Sequence, residues 1–407
     1  MPQSVHERDP DPSIGPTAMG RRHFLRRAGL GLGTISVVGA GVLGYRAYDQ
    51  GVLETGRGPA YAPWTGWQGD KGLLALVGAA ILAPSPHNTQ AWQFRIGSDH
   101  IDVYADRTRN IGSIDPFGRE MFIGVGTALE NLVLAARASG YAPRVKLMPE
   151  GPDSTHAAHV ALPRSTPLRS DLVSSISRRH TNRYRFVDGK QVPPAALAAM
   201  AGLADASVPD VRLLWYTSQS ERARIGGLLI DATEAILADP DQSASDYAWF
   251  RQNWDEIQRL RDGITVDASG LSEVVAALAK ILPPQSEQAT GEAWLKATRE
   301  SQTSTAAGYG IVAVRDAHDN RQRLEGGRLL ERVHLWTTAN GLALQHMNQV
   351  TERVDREAQL GLEPRFGDEI DGVLPPDWKA LVTFRVGYPT HTPNKSPRRP
   401  VAAVIIV

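Results

Sequence analysis

The chain has 407 residues, with 44 Lys and Arg balanced by 44 Asp and Glu, and it contains no cysteine. At roughly 150 residues per domain its length predicts two or three domains, and zero net charge argues against a general nucleic-acid binder, which carries a basic excess. The missing cysteines exclude a disulfide scaffold, a thiolate metal site, an iron–sulfur cluster and a cysteine nucleophile.

Residues 1–20 are polar and rich in Pro and Asp, a composition that predicts disorder. Gly20-Arg21-Arg22-His23-Phe24-Leu25-Arg26 follows, then a Gly-rich apolar run from Ala28 to Gly44. A basic region ahead of an apolar one reads as an export signal, and the paired arginines before x-Phe-Leu-Arg resemble a twin-arginine translocation signal. As a helix the run would be about 25 Å long, near the lower limit for a membrane span. Retention as an N-terminal membrane anchor and cleavage both stay open. Ala60-Tyr61-Ala62 has the small-x-small form of a cleavage site, with Pro63 unfavourable after it. The expected location is the periplasm or the outer face of the cytoplasmic membrane, with the twin-arginine export machinery as a partner. That route carries folded proteins, often with a cofactor already bound, so the address itself points towards a redox cofactor.

The body reads as α+β. Gly69–Leu82 has helical spacing and stops at Pro84 and Pro86. Gln93–Ile96 and Ile101–Tyr104 predict a hairpin about Gly97-Ser98-Asp99. Phe117–Ser139 is apolar on more than one stripe and predicts a buried central helix, capped by Gly140. Helices are expected at Leu168–Ser177, Pro193–Ala204 and Glu221–Ala238, and strands at Val211–Tyr216, Gly308–Ala313, Lys379–Val386 and Val401–Val407. A second long helix is expected over Glu325–Met347. Shifting the first by 201 residues matches Gly126 to Gly327, Leu129 to Leu330, Glu130 to Glu331, Leu134 to Leu335, Ala138 to Ala339 and Gly140 to Gly341. This reads as an internal duplication: a leader and linker over 1–62, a first half over 63–165, and a second half over 166–407. Two similar halves would pack as a pseudo-dimer within one chain, functioning as a monomer. Residues 239–292 are an insertion with an aromatic-rich stretch from Tyr247 to Trp254, either a lid over a flat ligand or packing against the body.

Three segments carry candidate chemistry. Arg179, Thr181 and Arg183 alternate along the chain and can converge, giving two guanidinium forks and a hydroxyl suited to a phosphate monoester. A second basic cluster lies at Lys395–Arg399. Asn88 and Gln90, in a loop bounded by Pro84 and Pro86, carry amides suited to the edge of a heterocycle. Taken singly, each would pass for solvated arginines or a turn. His156-Ala157-Ala158-His159 has i,i+3 spacing beside a predicted strand, and no metal site is expected from it. His87 and His180 flank the candidate segments, and packing is the default for His334 and His346.

Together the segments resemble one family. Ala83–Phe94 looks like the Pro-Ser-x-x-Asn-x-Gln-Pro-Trp signature of nitroreductase-like flavoproteins. Arg179-x-Thr181-x-Arg183 resembles their Arg-x-Ser-x-Arg, and Ser396-Pro397-Arg398-Arg399-Pro400 their C-terminal basic pair. With the twin-arginine start, the whole resembles the tandem, Acg-type branch over roughly residues 60 to 407. The resemblance implies a nitroreductase-like fold in two tandem halves and flavin mononucleotide (FMN) as cofactor. Pro84, Ser85, Pro86, Asn88 and Gln90 would line the ring and ribityl, and Arg179, Thr181, Arg183, Arg398 and Arg399 would hold the phosphate. Ala91 replaces the usual proline and Thr181 the usual serine. Each motif occurs once, so one complete flavin site per chain is expected. The ring would carry the chemistry, so no catalytic side chain is assigned. The expected activity is an exported FMN-dependent oxidoreductase passing electrons from a small-molecule donor to a nitroaromatic or quinone acceptor. The alternative is a protein that binds or sequesters flavin without turnover.

Overall fold

The computed structural model describes residues 42–67 and 71–407. The twin-arginine motif and most of the apolar run after it lie outside the described residues. Residues 42–49 are helical and belong to a separate unit, while the compact body runs from Gln50 to Val407.

The expected boundary at residue 62 falls inside that body. Ala60, Tyr61 and Trp64 are buried in the main apolar core. The Ala60 N–H donates to Gln258 Oε1 (3.0 Å), and Ala60 O accepts from the Arg398 N–H (2.7 Å). Tyr61 and Trp64 have too much apolar surface to leave in a solvated linker, so residues 50–62 pack as part of the body. The small-x-small stretch before Pro63 is packed with them.

Two four-stranded antiparallel sheets frame the body. The first contains β1 (Trp92–Ile96), β2 (His100–Ala105), β3 (Arg144–Leu147) and β4 (His156–Ala161), in the order β1-β2-β4-β3. A short pair, β6 (Phe250–Arg251) and β7 (Ile264–Thr265), lies in the insertion. The second sheet contains β5 (Val211–Tyr216), β8 (Gly308–Val314), β9 (Ala343–His346) and β10 (Lys379–Gly387), in the order β5-β8-β10-β9. Numbered along the chain within each sheet, both orders are first-second-fourth-third. In both, one long helix separates the second strand from the third: Arg119–Ala138 in the first half and Asn320–Ala339 in the second. The halves differ between their first two strands. Residues 97–99 suffice in the first, whereas the second holds the helix Gln219–Ala238 and the whole insertion there.

The burial of β8 explains its composition. Every residue from Gly308 to Val314 is buried. Tyr309, Ile311 and Ala313 pack into one apolar cluster with the helix Gln219–Ala238, and Val312 and Val314 into another with the second core helix. A strand covered on both faces reads as a continuous apolar run. The first core helix is buried from Arg119 to Ala136. Among the described residues it alone is long and apolar enough to cross a membrane, and its burial inside the body accounts for that composition.

Two expected elements differ. The second long helix ends at Ala339 and not at Met347; Gly341 (φ 70°) turns the chain, and Ala343–His346 becomes β9, paired with β10. Gly140 (φ 82°) ends the first helix in the same way. Apolar residues 342–344 continue a helical pattern in sequence, but pairing with β10 prevails. The apolar end of the chain forms a 3-10 turn at Val401–Ala403 and a single bridge between Phe94 and Ile405.

The two core helices cross through the matched glycines. A Cβ placed on Gly126 would lie 2.3 Å from Leu324 O and 3.1 Å from Gly327 Cα. One placed on Gly327 would lie 2.2 Å from Ile123 O and 3.0 Å from Gly126 Cα. Position 123 corresponds to 324 under the same 201-residue offset, so the contact is reciprocal, as at a two-fold interface. Backbone meets backbone, leaving no room for a side chain at either position. Gly126→Val or Gly327→Val should therefore destabilise the protein by about 1–3 kcal/mol or more, seen as a lowered thermal midpoint. Gly227→Ala, facing open space on a helix, should be neutral or stabilising in the same assay.

Candidate functional site

A cavity of about 430 Å³ opens where the two halves and the insertion meet. The Pro84–His87 loop and the first core helix (Glu120, Ile123, Gly124, Thr127) form one wall. Thr181 and Arg183, together with the β9 end (Gln345, His346) and Asn348, Gln349 and Glu352 beyond it, form a second. The insertion supplies the third, through Asp246, Phe250, Arg251, Val266, Leu271 and Trp294 among others. The insertion is thus a wall of the site and packs on the body at the same time. Arg109 and Arg251 both bond Asp262 over the Trp249 ring, and buried Lys280 pairs with Asp267 (2.7 Å) while donating to Gly51 O and Thr55 Oγ1.

The Pro84–Gln90 loop is strained and clasped. His87, Asn88 and Gln90 all have left-handed backbone angles (φ 46°, 55° and 54°), which side-chain-bearing residues hold only when neighbours enforce them. Here two distant segments do so. Asn88 Nδ2 donates to Pro397 O (2.9 Å) and Gly263 O (3.2 Å), while its Oδ1 accepts from Arg398 (2.5 Å). Gln90 Nε2 donates to Arg261 O (2.9 Å), and its Oε1 accepts the Arg399 N–H (2.7 Å). Ser85 Oγ closes the loop by accepting the Gln90 N–H (2.9 Å).

The ten sequence-predicted residues therefore separate. Pro84, Ser85, Pro86, Thr181 and Arg183 line the cavity. Asn88 and Gln90, in the same loop, and Arg179, Arg398 and Arg399 do not line it. Arg179 is fully buried, donates to Leu82 O (2.9 Å) and lies 3.4 Å from Glu331. Burial pushes the Glu331 carboxyl up to about 8 despite that neighbour. Arg398 donates to Ala83 O (3.0 Å) and covers the Trp64 ring at 4.7 Å. Arg399 reaches Gln90 O and Ala403 O. Asn88, Gln90, Arg398 and Arg399 hold the strained loop and Arg179 holds Leu82 ahead of it, while the Nε atoms of Arg179 and Arg398 are buried without a hydrogen-bond partner.

Arg183 differs from these arginines in lining the cavity. It is half-buried, donates to Ala268 O (3.1 Å), and has no carboxylate partner among the described residues. Burial pushes its guanidinium down to about 10, so it stays charged at neutral pH.

An acidic corner faces it, and sequence reading missed it. His87 Nε2 lies 2.5 Å from Asp246 Oδ1, tying the loop to the insertion. Burial opposes the charge on His87, but the bonded Asp246 carboxylate, with Glu120 beyond, carries the ring above its usual range. Burial also raises Glu120 and lifts Glu352 well above the carboxylate range; Glu352, hydrogen-bonded to Glu120, is the group that keeps the proton. Asp115, pushed up to about 7 by burial and by Glu120, accepts the Glu120 and Met121 N–H groups at the start of the core helix. Glu120 and Glu352 each lie in the first turn of a helix, a common place for an acidic residue, so nothing distinguishes them in sequence. His346 Nε2, Gln302 Oε1, Asn348 Oδ1 and Gln349 Oε1 are buried without a hydrogen-bond partner, and all four residues line the cavity. Buried polar atoms left orphaned in this way point to a ligand or ordered water.

Comparison with known proteins adds to this geometry. No family model matches the chain. The Mycobacterium tuberculosis H37Rv protein Rv3131, named by inference as an NAD(P)H nitroreductase, is 28% identical over 302 residues, spanning 71% of this chain and 79% of its own. Acg of the same organism, named in the same way, is 31% identical over 123 residues, or 28% of this chain and 36% of that one. These similarities support a nitroreductase-like family for the chain. Among solved structures, the FMN-dependent nitroreductase NfnB of Mycobacterium smegmatis in complex with NADPH matches with a TM-score of 0.36 at 15% identity, covering 58% of this chain and 99% of that one.

At the cavity wall, burial, with Arg179 and Arg183 beyond it, pushes His346 down to about 3. The folded protein keeps the ring neutral while the unfolded chain protonates it near 6.5. Stability is therefore retained above pH 6.5 and lost on acidification towards pH 3, by about 1.4 kcal/mol per pH unit for this one proton. Denaturant titrations from pH 7 to 4 should show that acid limb, and His346→Gln should flatten it by one proton.

Proposed function

We propose that the chain is an FMN-dependent oxidoreductase that reduces an electrophilic acceptor of the nitroaromatic or quinone class. The observation that carries the reading is Arg183: a charged guanidinium without a carboxylate, on the wall of a cavity whose opposite wall is the Pro84–Pro86 loop. Rv3131 and Acg, both named as NAD(P)H nitroreductases, support it. The residues present fit FMN. Thr181 and Arg183 would take the phosphate, Pro84, Ser85 and Pro86 would bear on the ring, and the orphaned polar atoms of Gln302, Asn348 and Gln349 would meet its polar edge. Asn88, Gln90, Arg179, Arg398 and Arg399 would act through the loop they hold. A volume of about 430 Å³ lies within the usual range for such ligands.

Bound FMN would supply a reversible two-electron carrier. The chain would do the rest. The loop orients the ring, Phe250 and Trp294 exclude water, and Glu352 holds a proton at the cavity wall for a reduced acceptor. Shared strand order and the reciprocal glycine contact support a duplication, with one complete site per chain. Arg21 and Arg22 support export by the twin-arginine route; Arg21→Lys with Arg22→Lys should leave the protein in the cytoplasm on fractionation.

A second reading, flavin storage without turnover, draws on the insertion, which walls the cavity and is fixed by the buried Lys280–Asp267 and Arg251–Asp262 pairs. Export would also separate the protein from reduced nicotinamide. Reduction of the purified holoprotein under anaerobic conditions, by NADPH or a quinol, followed by reoxidation with a nitroaromatic or quinone, supports the enzyme. Flavin that stays oxidised with every donor supports the store. Arg183→Gln should lose bound FMN in either case, and normal FMN content in that variant would refute the phosphate assignment.

A further inference from the structure

A second cluster of ligand-type side chains lies on the outer face of the first sheet, and none of its residues lines the cavity. Along β2, Ile101, Val103 and Ala105 point into the core, so His100, Asp102 and Tyr104 point outward. On β4, His159 registers directly opposite Asp102. His156 lies three residues earlier and on a regular strand would face the core. The register shifts between Val103 and Tyr104, where Ala157 is the extra residue, and His156 instead registers opposite Tyr104. A bulge of this kind re-aims a side chain, and here it brings both histidines to Asp102.

We infer that His100, Asp102 and His159 form a binding site for a zinc-class divalent cation. One potential ligand atom from each lies within 4.8 Å of the others. Ligand atoms bound at about 2.0–2.2 Å around tetrahedral zinc lie roughly 3.3 Å apart; here His100 Nε2 lies 3.7 Å from Asp102 Oδ2 and His159 Nδ1 is hydrogen-bonded to Asp102 Oδ1 at 2.6 Å, so small side-chain rotations reach that spacing. Two imidazoles and a carboxylate, with no thiolate available, are a borderline donor set suited to zinc, and solvent can fill the fourth position. His100 and His159 are each about one-third exposed (32% and 39%), so a cation can enter, while Asp102 is largely covered (11%).

The surroundings match those of a metal site. The His100 ring holds Asp99 Oδ1 with Nδ1 (3.1 Å) and turns Nε2 towards Asp102 Oδ2 at 3.7 Å, too far for a hydrogen bond. His156 bonds Asp102 Oδ1 with Nε2 (3.2 Å) and Glu150 Oε1 with Nδ1 (3.0 Å). A carboxylate on the far nitrogen of an imidazole is the usual way a ligating ring is oriented, and His156 acts here as the positioning residue for Asp102. No lysine or arginine pairs with the Asp102 carboxylate among the described residues. Arg95, in register opposite it, donates instead to Tyr104 Oη (2.9 Å).

Zinc titrated by calorimetry into the full chain, after EDTA treatment and its removal, should bind at one equivalent. His100→Gln, Asp102→Asn and His159→Gln should each weaken binding at least tenfold, with circular dichroism and FMN content unchanged. Cobalt should give the intense visible bands of a tetrahedral site, lost in the same variants. His318→Gln, at an exposed histidine away from the cluster, should bind as the parent does. No saturable zinc binding, or parental affinity in both His100→Gln and His159→Gln, would overturn the assignment. Because the readout is zinc and not turnover, it stands apart from the flavin reading.

Discussion

The structure depends on one close crossing. Gly126 and Gly327 bring two long helices together backbone to backbone, with carbonyls at 123 and 324 where Cβ atoms would otherwise sit. Every larger feature follows from that approach. Each helix carries its own four-stranded sheet in the same strand order, so the crossing sets the two sheets into one body. The cavity lies where Ile123, Gly124 and Thr127 of one helix and Leu330 of the other face the inserted segment. A side chain at either glycine would push the halves apart and change the shape of that space.

Buried charge is concentrated around the same crossing, and it divides into two kinds. Glu130 is met by Arg328 and Arg332 at 2.8 and 3.3 Å, and these arginines hold it below the usual carboxylate range against the effect of burial. Its counterpart Glu331 has Arg179 at 3.4 Å, with Asn131 beside it and Arg398 beyond, and burial wins. Equivalent positions thus carry opposite electrostatics, because the second half uses its arginines to hold the Pro84–Gln90 loop. At the cavity itself, Arg183 and the hydrogen-bonded Glu120–Glu352 pair all line the space. A guanidinium without a carboxylate partner is costly to bury, and an anionic ligand in the cavity would compensate Arg183.

Much of this was legible in sequence, and the failures have physical causes. The 201-residue offset located the helix pair, and its Gly140–Gly341 match already marked where the second helix must stop; apolar Leu342 to Leu344 obscured that stop until β10 supplied a strand partner. Residue types identified Asn88, Gln90 and the arginines as a set, but not which of their donors carbonyls would consume. That depended on where residues 261–263 and 397–399 come to rest. Glu120, Asp246 and Glu352 carry no local signal because only tertiary contact gathers them. The His156–His159 spacing did not show that both rings reach Asp102, because the bulge at Ala157 is invisible without the register of β2.

Native mass spectrometry of the purified chain, with flavin absorbance on the same sample, tests most directly whether a single flavin site is assembled from both halves of one chain. A monomer carrying one FMN is the predicted result. A colourless chain that cannot be reconstituted with FMN, or a species with two FMN per chain, would contradict it.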